Sequence, residues 1–175
     1  DPSIVVLQVD HSDLDCIVSN LPWIEDFSNN GQIPDCWQNI DNAGNGEVWS
    51  FDNPGGLTVN TSTSANGFAI FDSDYYGNNG LVEDCDLISP LFDLTGETTI
   101  FLQFEHYFRQ GYGGQGDLFY SVDGGNSWNL LDTWDQPSTN NAETEVFDLS
   151  ATVAGYDEVM FMWKWTGDWS WYWAV

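Results

Sequence analysis

Hydrophobic and polar positions in this chain alternate one by one; they do not recur every three or four residues. The pattern is cleanest over Thr99–Phe108, where Leu102, Phe104, His106 and Phe108 share one face while Gln103, Glu105, Tyr107 and Arg109 share the other. A two-residue period is that of a strand with one buried face. Between glycine and asparagine punctuation, strands are expected at 48–51, 67–71, 87–89, 98–108, 117–122, 128–131, 145–149 and 159–165, with a further apolar strand at Ile4–Val9. No helical period survives over a dozen residues. Short strands at regular spacing predict an all-β chain, two antiparallel sheets packed as a jelly-roll sandwich. Residues 1–20 read as an N-terminal linker or donor-strand segment, and residues 21–175 as the jelly-roll domain. The polar stretch from Gln136 to Glu143 reads as a surface loop.

Composition sharpens this picture. With 42% hydrophobic and 16% aromatic residues over 175 positions, the chain has material for one well-filled core. The charge is extreme: 28 Asp and Glu against 2 Lys and Arg give a formal net charge of −26. Only Arg109 and Lys164 are dependable cations, so most carboxylates must be solvated, accept backbone N–H bonds or meet bound cations. Nucleic acid and anionic membrane surfaces are excluded as partners, since both need positive charge. No apolar run reaches the ~20 residues of a membrane-spanning helix, and Asp1, with no basic segment before an apolar one, reads as a processed or excised terminus. Cys16, Cys36 and Cys85 lack zinc spacing; one bridge and one spare thiol are expected in an oxidising setting, with three pairings open and Cys36 the favoured participant.

Four segments carry candidate chemistry. In Ile40–Glu47 (IDNAGNGE), oxygen-bearing side chains alternate with glycines, so Asp41 and Asn45 are candidate ligands for a hard cation such as Ca2+, or else parts of an Asx/Gly turn. In Asp72-Ser73-Asp74, two carboxylates at i and i+2 could aim at one ion. Ser121–Trp128 (SVDGGNSW) matches the Asp-box pattern, in which Asp123 accepts backbone N–H bonds across a hairpin turn; it is specific as a turn and silent on function. In the aromatic C-terminal region, Trp165, Trp169 and Trp171 are candidate platforms for sugar rings, against the simpler reading that these rings fill the core. His106 lies on the apolar face of its strand and reads as a core residue, not a base. Neither His106 nor His11 belongs to a visible catalytic constellation.

Taken in order, Pro22–Phe27, Ile33–Trp37, Ile40–Gly46, Ser73-Asp74, Leu87–Pro90, Leu102–His106, Ser121–Gly125 and Trp171–Val175 resemble the choice-of-anchor J and cleaved-adhesin group, distant cousins of MAM domains. The resemblance implies a jelly-roll sandwich, often calcium-bound, found in surface adhesins and appended to secreted proteases including gingipains, with export by type IX secretion. It implies a role for Glu25 and the Ser73-Asp74 pair near a calcium. Asn42, Ala43 and Asn45 depart from the more acidic loop of that group. In relatives the strand matching Trp171–Val175 runs on into an acidic segment, so the domain reads as truncated at its C-terminal strand and Ile4–Val9 is a candidate to complete the edge. The function expected is a non-catalytic, extracellular, calcium-binding adhesion or assembly module in a larger surface or filament protein, joined to neighbouring domains or subunits through Ile4–Val9. The alternative is a carbohydrate-binding module attached to a secreted hydrolase or protease.

Overall fold

Alternating residues need two surfaces to bury against, and the chain supplies them as two stacked sheets. The structure, a computed structural model, describes residues 16–136 and 141–175; the expected strand Ile4–Val9 and part of the 136–143 loop lie outside these. The elements are β1 (Ile17–Val18), β2 (Gln38–Asp41), β3 (Ile70–Asp72), α1 (Ser73–Tyr76), β4 (Glu83–Ile88), β5 (Leu91–Phe92), β6 (Phe101–Arg109), β7 (Gln115–Ser121), β8 (Asn129–Trp134), β9 (Glu143–Asp148), β10 (Met160–Gly167) and β11 (Tyr172–Ala174). One sheet runs β2-β4-β10-β7-β8 and the other β3-β11-β6-β9, each antiparallel throughout. The chain is an all-β jelly-roll sandwich. A third pairing, parallel, sets β1 beside β5, and a Cys16–Cys36 disulfide fastens the same stretch.

Between the sheets sits an aromatic core. Trp49, Trp165, Trp173, Phe71 and Phe108 are fully buried; Phe71 stacks on Trp165 at 5.3 Å, and Trp49 leans on Trp173 at 5.5 Å. Space for such rings comes from β7, where Gly116 lies so close to Trp173 that an added Cβ would sit 2.6 Å from the ring. Leu102, Phe104, His106 and Phe108 do face inward, and Phe101 and Gln103 face out.

Two expected strands differ. Over 48–51 only Ser50 forms an isolated bridge, to Ile70. The reason is local: Trp49 N–H donates to the Asn39 side chain and its indole N–H to Cys85 O, so side-chain bonds replace a ladder. The strand expected from Gly67 begins only at Ile70 and ends in one helical turn, α1, which Asp72 caps by accepting the Tyr75 N–H.

Candidate binding surfaces

The five positions expected to hold calcium lie at Glu25, in the loop of Asp41 and Asn45, and at the helical turn of Asp72 and Asp74. Asp41 ends β2 and folds back on its own loop, its two carboxylate oxygens accepting Gly44 N–H and Gly46 N–H at 2.7 Å each. Positive φ at both glycines permits that closure. Asn45 accepts Glu47 N–H and donates to Val82 O. Glu25 accepts Phe27 N–H and the Trp37 indole N–H. Asp72 is buried, its oxygens taken by Tyr75 N–H and Gly55 N–H; burial holds its carboxyl above the usual range. Asp74 points to solvent. Oxygens of Glu25, Asp41, Asn45 and Asp72 thus accept N–H bonds, while Asp74 is exposed; calcium takes 6–8 oxygens from such groups.

Among the described residues, one group of three carboxylate or imidazole ligand atoms lies within 4.8 Å of one another: His106, Glu143 and Glu145. His106 Nδ1 accepts the Trp173 indole N–H at 3.0 Å. The neutral ring therefore carries its proton on Nε2, which lies 3.5 Å from Glu145 Oε1 and 3.8 Å from Glu143 Oε2. A metal at Nε2 would need the other tautomer, whose Nδ1–H would collide with the Trp173 N–H. Burial holds the imidazole down at about 4, against the opposing pull of Glu143 and Asp132, so this is a neutral core histidine beneath two carboxylates.

The aromatic candidates divide. Trp165 has no exposed surface; its ring is core and its N–H donates to buried Glu83 at 2.7 Å. It offers no face to a ligand. Half-buried Trp171 lies under the Arg109 guanidinium, 3.8 Å from the ring centroid. Half-buried Trp169 stacks on exposed Tyr112 at 4.3 Å and 6°. Lys164, the other cation, bridges Asp84 and Asp86.

A trench of about 950 Å³ lies beside β6 among the described residues, and sequence reasoning did not find it. Its lining includes Phe101–Glu105 of β6, Ser62 and Thr63, and the rings of Phe161 and Trp163. Two of its lining side chains are apolar and exposed, Ile24 at 82% and Phe101 at 59%. A signal was present in the sequence, since Phe101 breaks the polar face of an otherwise regular strand.

No family model matches the sequence, and no curated protein matches it. Solved structures do. The K1 cleaved adhesin domain of Lys-gingipain from Porphyromonas gingivalis superposes with a TM-score of 0.61 at 22% identity, covering 86% of this chain and 91% of that domain. The fold is that of a cleaved adhesin domain. The K3 and K2 domains of the same protein match with TM-scores of 0.60 and 0.52, each at 19% identity, covering 83% and 85% of this chain. The expected resemblance to cleaved adhesins thus holds at the level of fold.

Proposed function

We propose that this chain is a non-catalytic adhesion or assembly module that works outside the cell. One observation carries the reading: on the fold of a cleaved adhesin domain, His106 and Trp165 are buried in the core, while a trench lined by Ile24, Phe101 and Phe104 together with Glu25, Glu97 and Glu105 lies beside β6. Such a surface binds polypeptide. The Cys16–Cys36 disulfide fits an oxidising compartment. Calcium enters this proposal as a counter-ion for a chain of net charge −26, a role that needs no cage.

The test is self-association. At about 0.5 M NaCl, enough to screen charges beyond about 4–5 Å, the full chain should elute from a sizing column as dimers and larger species in proportion to its concentration. A chain lacking residues 1–10 should not. Monomers in both cases would refute the assembly reading. The Tyr112–Trp169 pair favours a second reading, contact with a glycan at that end of the sandwich; Trp169→Ala should then abolish retention on a glycan array that the parent chain binds.

A further inference from the structure

Two loops meet at the end of the sandwich where β6 gives way to β7 and β10 to β11. Gly111 of the first lies so close to Trp171 of the second that an added Cβ would sit 2.3 Å from the ring, and its N–H donates to the buried Ser170 hydroxyl at 3.2 Å. The junction carries two stacked pairs, Arg109 on Trp171 and Tyr112 on Trp169. Arg109 and Tyr112 are both exposed. The chain has 28 carboxylates, yet the ion pairs among the described residues belong to Lys164 and His106, and Arg109 has none. Carboxylates are at hand. Asp74 N–H donates to Trp171 O at 2.9 Å, and Asp168 is the exposed neighbour of Trp169, but neither pairs with the guanidinium. Arg109 lies instead over the Trp171 ring and beside the Tyr172 hydroxyl, which itself donates to Thr58 O. Stacking on a ring leaves a guanidinium its in-plane N–H donors. Trp37, Trp49, Trp165 and Trp173 have protein acceptors for their indole N–H groups; Trp169 and Trp171 have none among the described residues.

From this arrangement we infer that the loop end around Arg109 binds a carboxylated sugar: a glycan whose rings lie against Tyr112 and Trp169 and whose uronate or sialate residue sets its carboxylate on the Arg109 guanidinium. The inference rests on the glycan reading above and names the chemical class of the ligand. The C–H face of a sugar ring suits an aromatic ring, and the guanidinium fork matches a carboxylate with two parallel N–H···O bonds. One cation serves one carboxylate, and a net charge of −26 repels a polyanion. The ligand is therefore acidic at one residue and neutral elsewhere.

The full chain tests this on an array of galactose-terminated glycans and of the same glycans capped with a glucuronate or a sialate, in about 0.5 M NaCl to screen the net charge. The parent should retain a capped glycan in preference to its uncapped form, and which cap is retained separates uronate from sialate. Calorimetry with that glycan and its carboxyl methyl ester then isolates the charge. Esterification, or Arg109→Gln in the protein, should weaken binding by about tenfold or more, as loss of hydrogen bonds to a charged group does. Arg109→Lys should restore part of the loss, and both variants should melt within a few degrees of the parent. If capped, uncapped and esterified glycans bind the parent alike while Trp169→Ala abolishes retention, the carboxylate is not read and the glycan reading stands. If the parent retains no glycan, both fail.

Discussion

His106 sits at zero exposure with its proton on Nε2, and this position sets a measurable dependence of stability on pH. Its folded-state value of about 4 lies below the ordinary 6.5. Between those values the unfolded chain binds a proton that the folded chain refuses, so stability falls as the solution is acidified from above pH 6.5 toward 4. The full gap corresponds to about 3 kcal/mol, and at pH 5 about 2 kcal/mol of it is already lost relative to pH 8. Other buried groups act in the opposite direction: burial raises the carboxyls of Asp72 and Glu83, and these favour the folded state as they take up protons. A comparison with His106→Gln removes their contribution, because glutamine retains an acceptor for the Trp173 N–H and does not titrate. Urea unfolding at pH 8 and pH 5 should show the parent losing about 2 kcal/mol more than the variant. Equal losses in the two proteins, or an NMR titration placing His106 near 6.5, would refute the assigned burial and tautomer.

Reduction of the Cys16–Cys36 bridge, which spans 20 positions, should lower unfolding free energy by about 3 kcal/mol through the larger unfolded ensemble; a reducing agent that leaves the denaturant midpoint unchanged would contradict it. Cys85, buried and raised to about 12, should remain unreactive toward thiol reagents until the protein unfolds. Gly116→Ala should cost about 1–3 kcal/mol by pressing on Trp173, measured as a shift in denaturant midpoint at constant slope. Calcium chloride should raise the melting temperature more than sodium chloride at the same ionic strength, since divalent ions gather at adjacent carboxylates; matching curves would remove any calcium preference.

The strands were legible where their side chains alternated and their turns carried glycine or asparagine. Strand β6 and the β7–β8 hairpin follow the pattern almost residue by residue. At the latter, Asp123 accepts Ser127 N–H and the Ser121 and Ser127 hydroxyls, as the Asp-box motif predicts. Legibility stopped where side chains took over backbone bonding. The Asn39 amide replaces a ladder at Trp49, and Asp72 turns a strand end into a helical cap, neither of which a period of two reveals. Carboxylate spacing alone did not reveal that Asp41 and Asp72 accept nearby N–H groups, Gly44 and Gly46 for the one and Gly55 and Tyr75 for the other.

The candidate site was half legible, and the illegible half is instructive. Sequence periodicity assigns each residue of β6 to a face, so the inward row and the anomalous Phe101 could be read directly. It says nothing of which edge a backbone N–H addresses or whether a neighbour is there, because that depends on how far β11 and β9 run alongside. Among the described residues, β9 pairs with residues 101–106 of β6 and β11 with 107–109. A chain of net charge −26 would ordinarily resist its own copies. Any contact between copies must therefore draw mainly on apolar or backbone groups or on bound cations, because Arg109 is engaged with Trp171 and Lys164 with Asp84 and Asp86.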